Sequence, residues 1–240
     1  MMKLRQKLSH WMRKLKPRVG RATALKDEIQ FWRNWFVSGG LEWPQDFHER
    51  LNPNQPIQDH VASYIDRIEG NPVSILDVGS GPMTKLGKKH PSKELMITAT
   101  DLLASKYDSL LSELGVEPLV RTIFANAEKL VEQFGQNAFD IVHAQNSIDH
   151  TTHPQNAIMQ MLAVCKPQGY VILYHAENEG ETENYHQLHK WNFTCEGGDF
   201  VIRDRRGRIT NVTKELVADG EVTCMRDGDA ILSVIHKKAN

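Results

Sequence analysis

The rhythm of hydrophobic and polar positions changes near residue 71. Before it, apolar residues recur every three or four positions. Leu4, Leu8, Trp11 and Leu15 mark one face, with lysines and arginines between them until Pro17. That is the pattern of a short basic amphipathic helix. Leu25, Ile29, Trp32 and Phe36 mark a second helix, which Gly39-Gly40 stops. Residues 57–69 carry a third, and Asn71-Pro72 leads out of it.

Beyond that point short apolar runs alternate with helical stretches. VSILDV (73–78), LMITATD (95–101), LVRTIFA (119–125), FDIVHAQ (139–145) and GYVILYHAE (169–177) read as strands. The segment after Met83, and residues 102–114, 127–134, 154–165 and 182–191, read as helices. Strands alternating with helices predict an α/β fold, a mostly parallel sheet with helices on both faces. The end breaks the rhythm. FVIRDRRGRITNVT (200–213) predicts a hairpin turning near Arg206-Gly207, and AILSVIHKK (230–238) a last strand. An antiparallel end on a parallel sheet fits that pattern. Three segments follow: a basic arm at 1–21, a helical extension at 22–70, and the α/β domain at 71–240.

Charge sharpens the division. Residues 1–21 carry eight lysines and arginines and no acid, whereas the 240-residue chain has a net charge of −1. The arm is basic and the body acidic, which argues against nucleic acid as a partner of the body. The arm itself reads as a foot on a membrane surface, a dock for an acidic partner, or a solvated tail. No apolar run reaches the roughly 18–20 residues that span a bilayer. Cys165, Cys195 and Cys224 are far apart in sequence, so neither a zinc knuckle nor a disulfide framework is indicated. A cytoplasmic setting, with peripheral membrane contact through 1–21 left open, is the expectation.

The candidate chemistry begins at VSILDVGSGPMTKLG, residues 73–87. A strand runs into a glycine turn, and in an open parallel sheet ligands sit at the carboxyl ends of the strands. Gly79 and Gly81 therefore face a ligand. A dinucleotide loop would place a third glycine where Thr84 stands. Asp77 would repel a pyrophosphate, and Pro82 removes a backbone N–H that a phosphate cradle needs. The next strand ends in Asp101, suited to ribose hydroxyls. The third ends in Asn126-Ala127-Glu128, where an amide and backbone N–H groups suit an adenine edge. An adenosine whose other end is an amino acid is S-adenosylmethionine.

In ILDVGSGP, ATD ending at Asp101, NAE at 126–128 and FDIVHAQNSIDH, the chain from residue 75 to about 237 resembles the class I S-adenosylmethionine-dependent methyltransferases. The resemblance implies a Rossmann-like seven-stranded sheet with an antiparallel last strand. It places Asp77, Gly79 and Gly81 by the methionine moiety, and Asp101 on the ribose with Leu102 beside it. Asn126, Ala127 and Glu128 fall by the adenine, and Gln145 and Asn146 at the fourth strand's end. Met83 stands where many members have a third glycine. FWRNWFVSGGLEWPQDFHERLNP, NSIDHTTHP and LHKWNF resemble, more narrowly, a poorly characterised bacterial subgroup associated with small-molecule or glycan methylation.

Methyl transfer to a hydroxyl needs a base near neutrality. His150, just past the fourth strand, is the candidate, with Asp149 to orient it. Glu177 and His186 are the reserves on the same rim. His186 and His189 are three apart and would share a helical face. With Asp149 or Glu177 they form a conceivable metal set, but acceptor contacts and packing are the favoured roles and no metal is expected. His143 and His175 lie within strands and read as buried structural residues, while Trp191 and Phe193 read as pocket walls or packing. The expected function is O-methylation of a small hydroxylated acceptor such as a sugar or glycan intermediate. The alternative is a catalytically silent methyltransferase-like binding protein docked through its arm.

Overall fold

The fold comes from a computed structural model that describes residues 20–239. Nearly all of the basic arm, residues 1–19, lies outside the described residues.

The chain begins with α1 (Arg21–Ser38), which Gly39 ends in the left-handed region as its N–H returns to Phe36 and Trp35. Two short helices follow, α2 (Pro44–Leu51) and α3 (Asp59–Ile65). Then come β1 (Val73–Val78), β2 (Leu95–Asp101), α4 (Ala104–Leu114) and β3 (Ile123–Phe124). A 3-10 turn at Ala127–Lys129 enters α5 (Leu130–Phe134), and β4 (Phe139–Gln145) leads to a second 3-10 turn at Ile148–His150. The remaining elements are α6 (Pro154–Val164), β5 (Cys165–Ala176), α7 (Glu179–Thr182), β6 (Trp191–Glu196), β7 (Asp199–Asp204), β8 (Ile209–Asn211), α8 (Val212–Glu215), β9 (Gly220–Asp227) and β10 (Ala230–Lys237).

Seven strands form one sheet in the order β3-β2-β1-β4-β5-β10-β9. Pairing is parallel from β3 through β5, and β10 runs antiparallel between β5 and β9. The expected antiparallel last strand is therefore present. Its neighbour β9 was not legible in sequence, because this edge strand buries only Gly220 and Cys224 among eight residues. The expected hairpin at 200–213 forms, but β7 and β8 join β6 in a separate three-stranded sheet.

Two predicted helices do not form. Residues 84–91 are held as extended chain by the Pro56–Lys89 bridge, and the Gln58 side chain donates to Lys85 O and accepts from Gly87 N. Residues 182–191 contain only the end of α7, followed by turns, with Asn184, Tyr185 and Gln187 at positive φ, and Trp191 already starts β6.

The core explains how these parts are fixed. On one face of the sheet Leu76, Val142 and Leu173 pack with Ile158 and Met161 of α6 and with Phe193, Phe200 and Ile202 of the small sheet. On the other face Ile75, Ile141 and Ile172 pack with Val61 and Ile65 of α3. Trp35 and Phe36 of α1 bury against Met83, Leu110 and Leu111. That last cluster lays α1 along the carboxyl edge of the sheet, over the glycine turn. Among the described residues no helix is long and apolar enough to cross a membrane.

Candidate functional site

The ends of five parallel strands converge on one rim. After β1, Gly79 and Gly81 adopt φ of 71° and 67°, in the left-handed region. Gly79 N and Ser80 N both donate to Thr100 O, at 2.8 and 3.0 Å, which curls the turn back over β2. Side chains are excluded at both glycines. A Cβ on Gly79 would lie 2.7 Å from Ser147 Oγ, and one on Gly81 2.7 Å from the Trp32 ring. Ser147 Oγ donates to Val78 O at 2.8 Å, so the loop after β4 is fastened to the glycine turn.

Asp77 is not where sequence reasoning put it. Its carboxylate is 3% exposed and turned inward, accepting from Thr84 Oγ1 at 2.5 Å and lying 2.8 Å from His143 Nδ1. It braces the turn from beneath instead of facing a ligand. His143 and His175 are buried, as expected. His175 receives Ser147 N and Ile148 N on Nε2, and its burial lowers the pKa to about 4, so the ring is a neutral acceptor at pH 7.

Asp101, at the end of β2, accepts from Leu103 N at 2.8 Å and Gly81 N at 3.2 Å. Burial, reinforced by the charges of Glu28 and Asp77, raises its pKa to about 6 against those two hydrogen bonds. Leu102 beside it is exposed. The roof over this space comes from α1, where Trp32 Nε1 donates to Glu28 Oε1 at 2.9 Å and the Trp32 ring stands edge-on to Tyr107. Sequence reasoning treated Trp32 as packing and passed over Glu28. Only the three-residue-plus-one helical spacing of the two could have linked them.

The third strand ends as expected in a polar turn. Asn126 Oδ1 accepts from Glu128 N and caps the 3-10 turn, while Ala127 packs against the core. Glu128 is drawn toward the next loop, accepting from Thr152 N at 2.8 Å and His153 N at 3.2 Å. Past β4, Gln145 is half-buried, and Asn146 takes a φ of 47° with its Oδ1 accepting from Ala176 N.

The same loop carries a tight cluster of titratable groups. Asp149 Oδ2 lies 3.1 Å from His189 Nδ1 and 3.6 Å from His150 Nε2, and the two imidazole nitrogens are 3.3 Å apart. Asp149 is 3% exposed. Burial alone would raise its pKa, but His150 and His189 outweigh it and hold the carboxyl below its ordinary range. Burial likewise works against a charged His189, and the carboxylates of Asp149 and Glu179 reverse it, raising the ring's pKa. The structure thus brings Asp149 and His150 together and sets His189, 39 residues downstream, beside them without His186.

Two reserve candidates are placed elsewhere. Glu177 is committed to structure. Arg226 pairs with both of its oxygens at 2.8 Å, Thr194 Oγ1 donates at 2.7 Å, and the pair with Arg226 holds the pKa down at about 2. A carboxylate so stabilised is a poor base near pH 7. His186 lies beyond the end of α7, so it does not share a helical face with His189, and among the described residues the metal-type grouping consists of Asp149, His150 and His189. Trp191 lines a cavity of about 640 Å³ with Tyr185, Lys190, Arg205 and Arg206, and its Nε1 donates to Thr151 O beside the cluster. Phe193 is core.

Comparison with known proteins agrees with this arrangement. Residues 76–173 match a methyltransferase-domain family. That stretch is similar to a methyltransferase domain. Over 105 residues it is 34% identical to the ubiquinone/menaquinone biosynthesis C-methyltransferase UbiE of Stutzerimonas stutzeri (strain A1501), covering 41% of this chain and 40% of that one. The match thus spans about two-fifths of that relative. The fold is shared with the CurJ carbon methyltransferase (TM-score 0.52, 14% identity, 75% of this chain and 52% of that one). It is shared too with the CMeT domain of the citrinin polyketide synthase (TM-score 0.52, 18% identity, 73% and 50%).

The donor set of this rim suits S-adenosylmethionine. Side chains are excluded at both glycines, Asp101 offers a carboxylate, and Glu28 adds a second acid above it. No helix follows the glycine turn to receive a phosphate. Two acids and no phosphate cradle suit a ligand with ribose hydroxyls and positive charge.

Proposed function

We propose that the protein transfers a methyl group from S-adenosylmethionine to a hydroxyl of a small acceptor such as a sugar or glycan intermediate. The observation that supports this is the loop after β4. Ser147 packs on Gly79 of the donor turn, and two residues later the Asp149–His150–His189 cluster begins.

In this reading Gly79, Gly81 and Glu28 surround the methionine part of the cofactor, Asp101 accepts from the ribose, and Asn126 to Glu128 border the adenine. Leu102, Gln145 and Asn146 complete the wall. When bound, S-adenosylmethionine supplies a methyl group already activated by its sulfonium sulfur. The acceptor hydroxyl meets the cluster, and Trp191, which donates to Thr151 O next to it, borders the acceptor. The hydroxyl proton is given up there as the new carbon–oxygen bond forms and the carbon–sulfur bond breaks. Asp149 holds the two imidazoles in place. Residues 71–240 are the catalytic unit, 22–70 its roof and 1–21 a peripheral arm.

A second reading has the acceptor atom as carbon, as the name of the Stutzerimonas stutzeri relative indicates for that protein. An enol would lose its O–H proton to the same cluster, and NMR of the product distinguishes the two linkages. The test is calorimetry with S-adenosylmethionine followed by a labelled-methyl assay over hydroxylated sugars and enols. His150→Ala is expected to slow transfer by about 100-fold or more while cofactor affinity stays unchanged. Cofactor binding with no transfer to any acceptor would favour a silent binding protein.

A further inference from the structure

We infer that Asp149, His150 and His189 form a binding site for a divalent transition-metal cation such as zinc. The first argument is shape. The three facing atoms, Asp149 Oδ2, His150 Nε2 and His189 Nδ1, form a triangle with edges of 3.1, 3.3 and 3.6 Å. Ligand atoms about 2.1 Å from a common cation are themselves roughly 3.0 Å apart in octahedral and 3.4 Å apart in tetrahedral coordination. The observed edges run from just above the octahedral value to just above the tetrahedral one. One cation can reach all three atoms without moving a side chain.

Hydrogen bonding accounts for the triangle less well. His189 Nδ1 can carry one proton, yet it faces both Asp149 at 3.1 Å and His150 at 3.3 Å. The third edge, at 3.6 Å, is too long for a hydrogen bond. A second observation is independent of the triangle. Asp149 is 3% exposed and its Oδ1 has no hydrogen-bond partner in the structure. A buried carboxylate with an idle oxygen is costly unless it is paired or coordinates a metal. Glu179 Oε1, 3.9 Å from His189 Nδ1, adds negative charge to the same space.

The composition points to the class of ion. Two imidazoles and one carboxylate suit zinc, iron or nickel better than magnesium, which prefers oxygen. Three protein ligands leave a coordination position open, the composition of catalytic rather than structural sites. His150 and His189 are 22% and 24% exposed, so that position is reachable from the acceptor side. The cation site holds whether the acceptor atom is oxygen or carbon. Its consequence rests on the proposed function and changes the proton's destination: with His150 Nε2 and His189 Nδ1 ligated, an acceptor hydroxyl at the open position becomes more acidic and sheds its proton to water instead of to the imidazoles.

The experiment uses the full-length protein, stripped with a chelator and titrated calorimetrically with zinc chloride, and separately with cobalt chloride read by visible absorption. One ion per chain is expected, with cobalt developing a d–d band. Asp149→Asn and His189→Gln should each weaken zinc binding at least tenfold, with circular dichroism and S-adenosylmethionine affinity unchanged. His150→Gln serves where either variant misfolds, and His186→Ala should bind zinc normally. Absence of stoichiometric zinc binding, or binding indifferent to all three ligand substitutions, overturns the site. Methyl transfer by the chelated protein would overturn the catalytic consequence and leave the proposed function intact. Zinc binding without methyl transfer to any acceptor would overturn the proposed function, and its catalytic consequence with it, and leave the cation site standing.

Discussion

Asp101 is the residue at which sequence, geometry and titration meet. Losing hydrogen bonds to a charged group costs roughly 1.5–3 kcal/mol, so Asp101→Ala should weaken S-adenosylmethionine about 10- to 150-fold by calorimetry. Its raised pKa of about 6 adds a pH signature. Ribose hydroxyls donate to the charged carboxylate, so wild-type affinity should fall as pH drops through 6, and Asp101→Asn should remove that dependence. Stability runs the other way. A carboxyl whose folded pKa exceeds its unfolded value opposes folding once it ionises, so wild type should gain stability relative to Asp101→Asn as pH falls from about 6 toward 4. Asp101 and the two glycines were legible in the sequence because their roles follow from strand ends and backbone sterics. Glu28 was not, because it reaches the site across a long sequence separation; His189 was named as a possible partner of Asp149, but on a helical face shared with His186 that does not form. Asp77 misled for a related reason. Its strand position was legible, but the inward turn of its carboxylate depends on Thr84 and His143, which only packing brings together.

At the scale of elements, α1 is the part that joins both halves of the site. Its first residue, Arg21, donates to His150 O; Asp27 accepts from Gln187; Trp32 covers Gly81; and Arg33 forms a double hydrogen bond to Glu113 on α4. Neighbouring tryptophans on it divide their work. Trp35 is 1% exposed, so Trp35→Ala should destabilise by about 3–5 kcal/mol in urea unfolding. Trp32 is half-buried over the donor turn, so Trp32→Ala should leave the fold standing and speed cofactor release in stopped-flow measurements. Unchanged release rates would strip α1 of its role as a roof. Elements with strong apolar rhythm, such as β1, β4 and α6, were readable at nearly their true bounds. Those held mainly by partners were not: 84–91 by the chain before it, 182–191 by the start of β6, and β9 by its pairing with β10.

For the whole molecule, Gly20 accepts from Thr23 N and Ala24 N at the start of α1, which makes it a natural place to begin a shortened protein. Such a protein should fold and bind S-adenosylmethionine as the full chain does. Full-length protein should sediment with anionic vesicles more than the shortened form, and salt should weaken that association. Equal sedimentation would reduce residues 1–19 to a solvated tail. The three-stranded sheet has a different kind of consequence. It leaves the main sheet after β5 and returns before β9, so the whole excursion is one uninterrupted stretch of chain. The donor turn and Asp101 lie earlier in the chain and share no strand with it. Descent could therefore revise the excursion by insertion, deletion or recombination while the donor half was inherited unaltered. Lineages with this architecture should diverge in what they modify well before they diverge in what they modify it with.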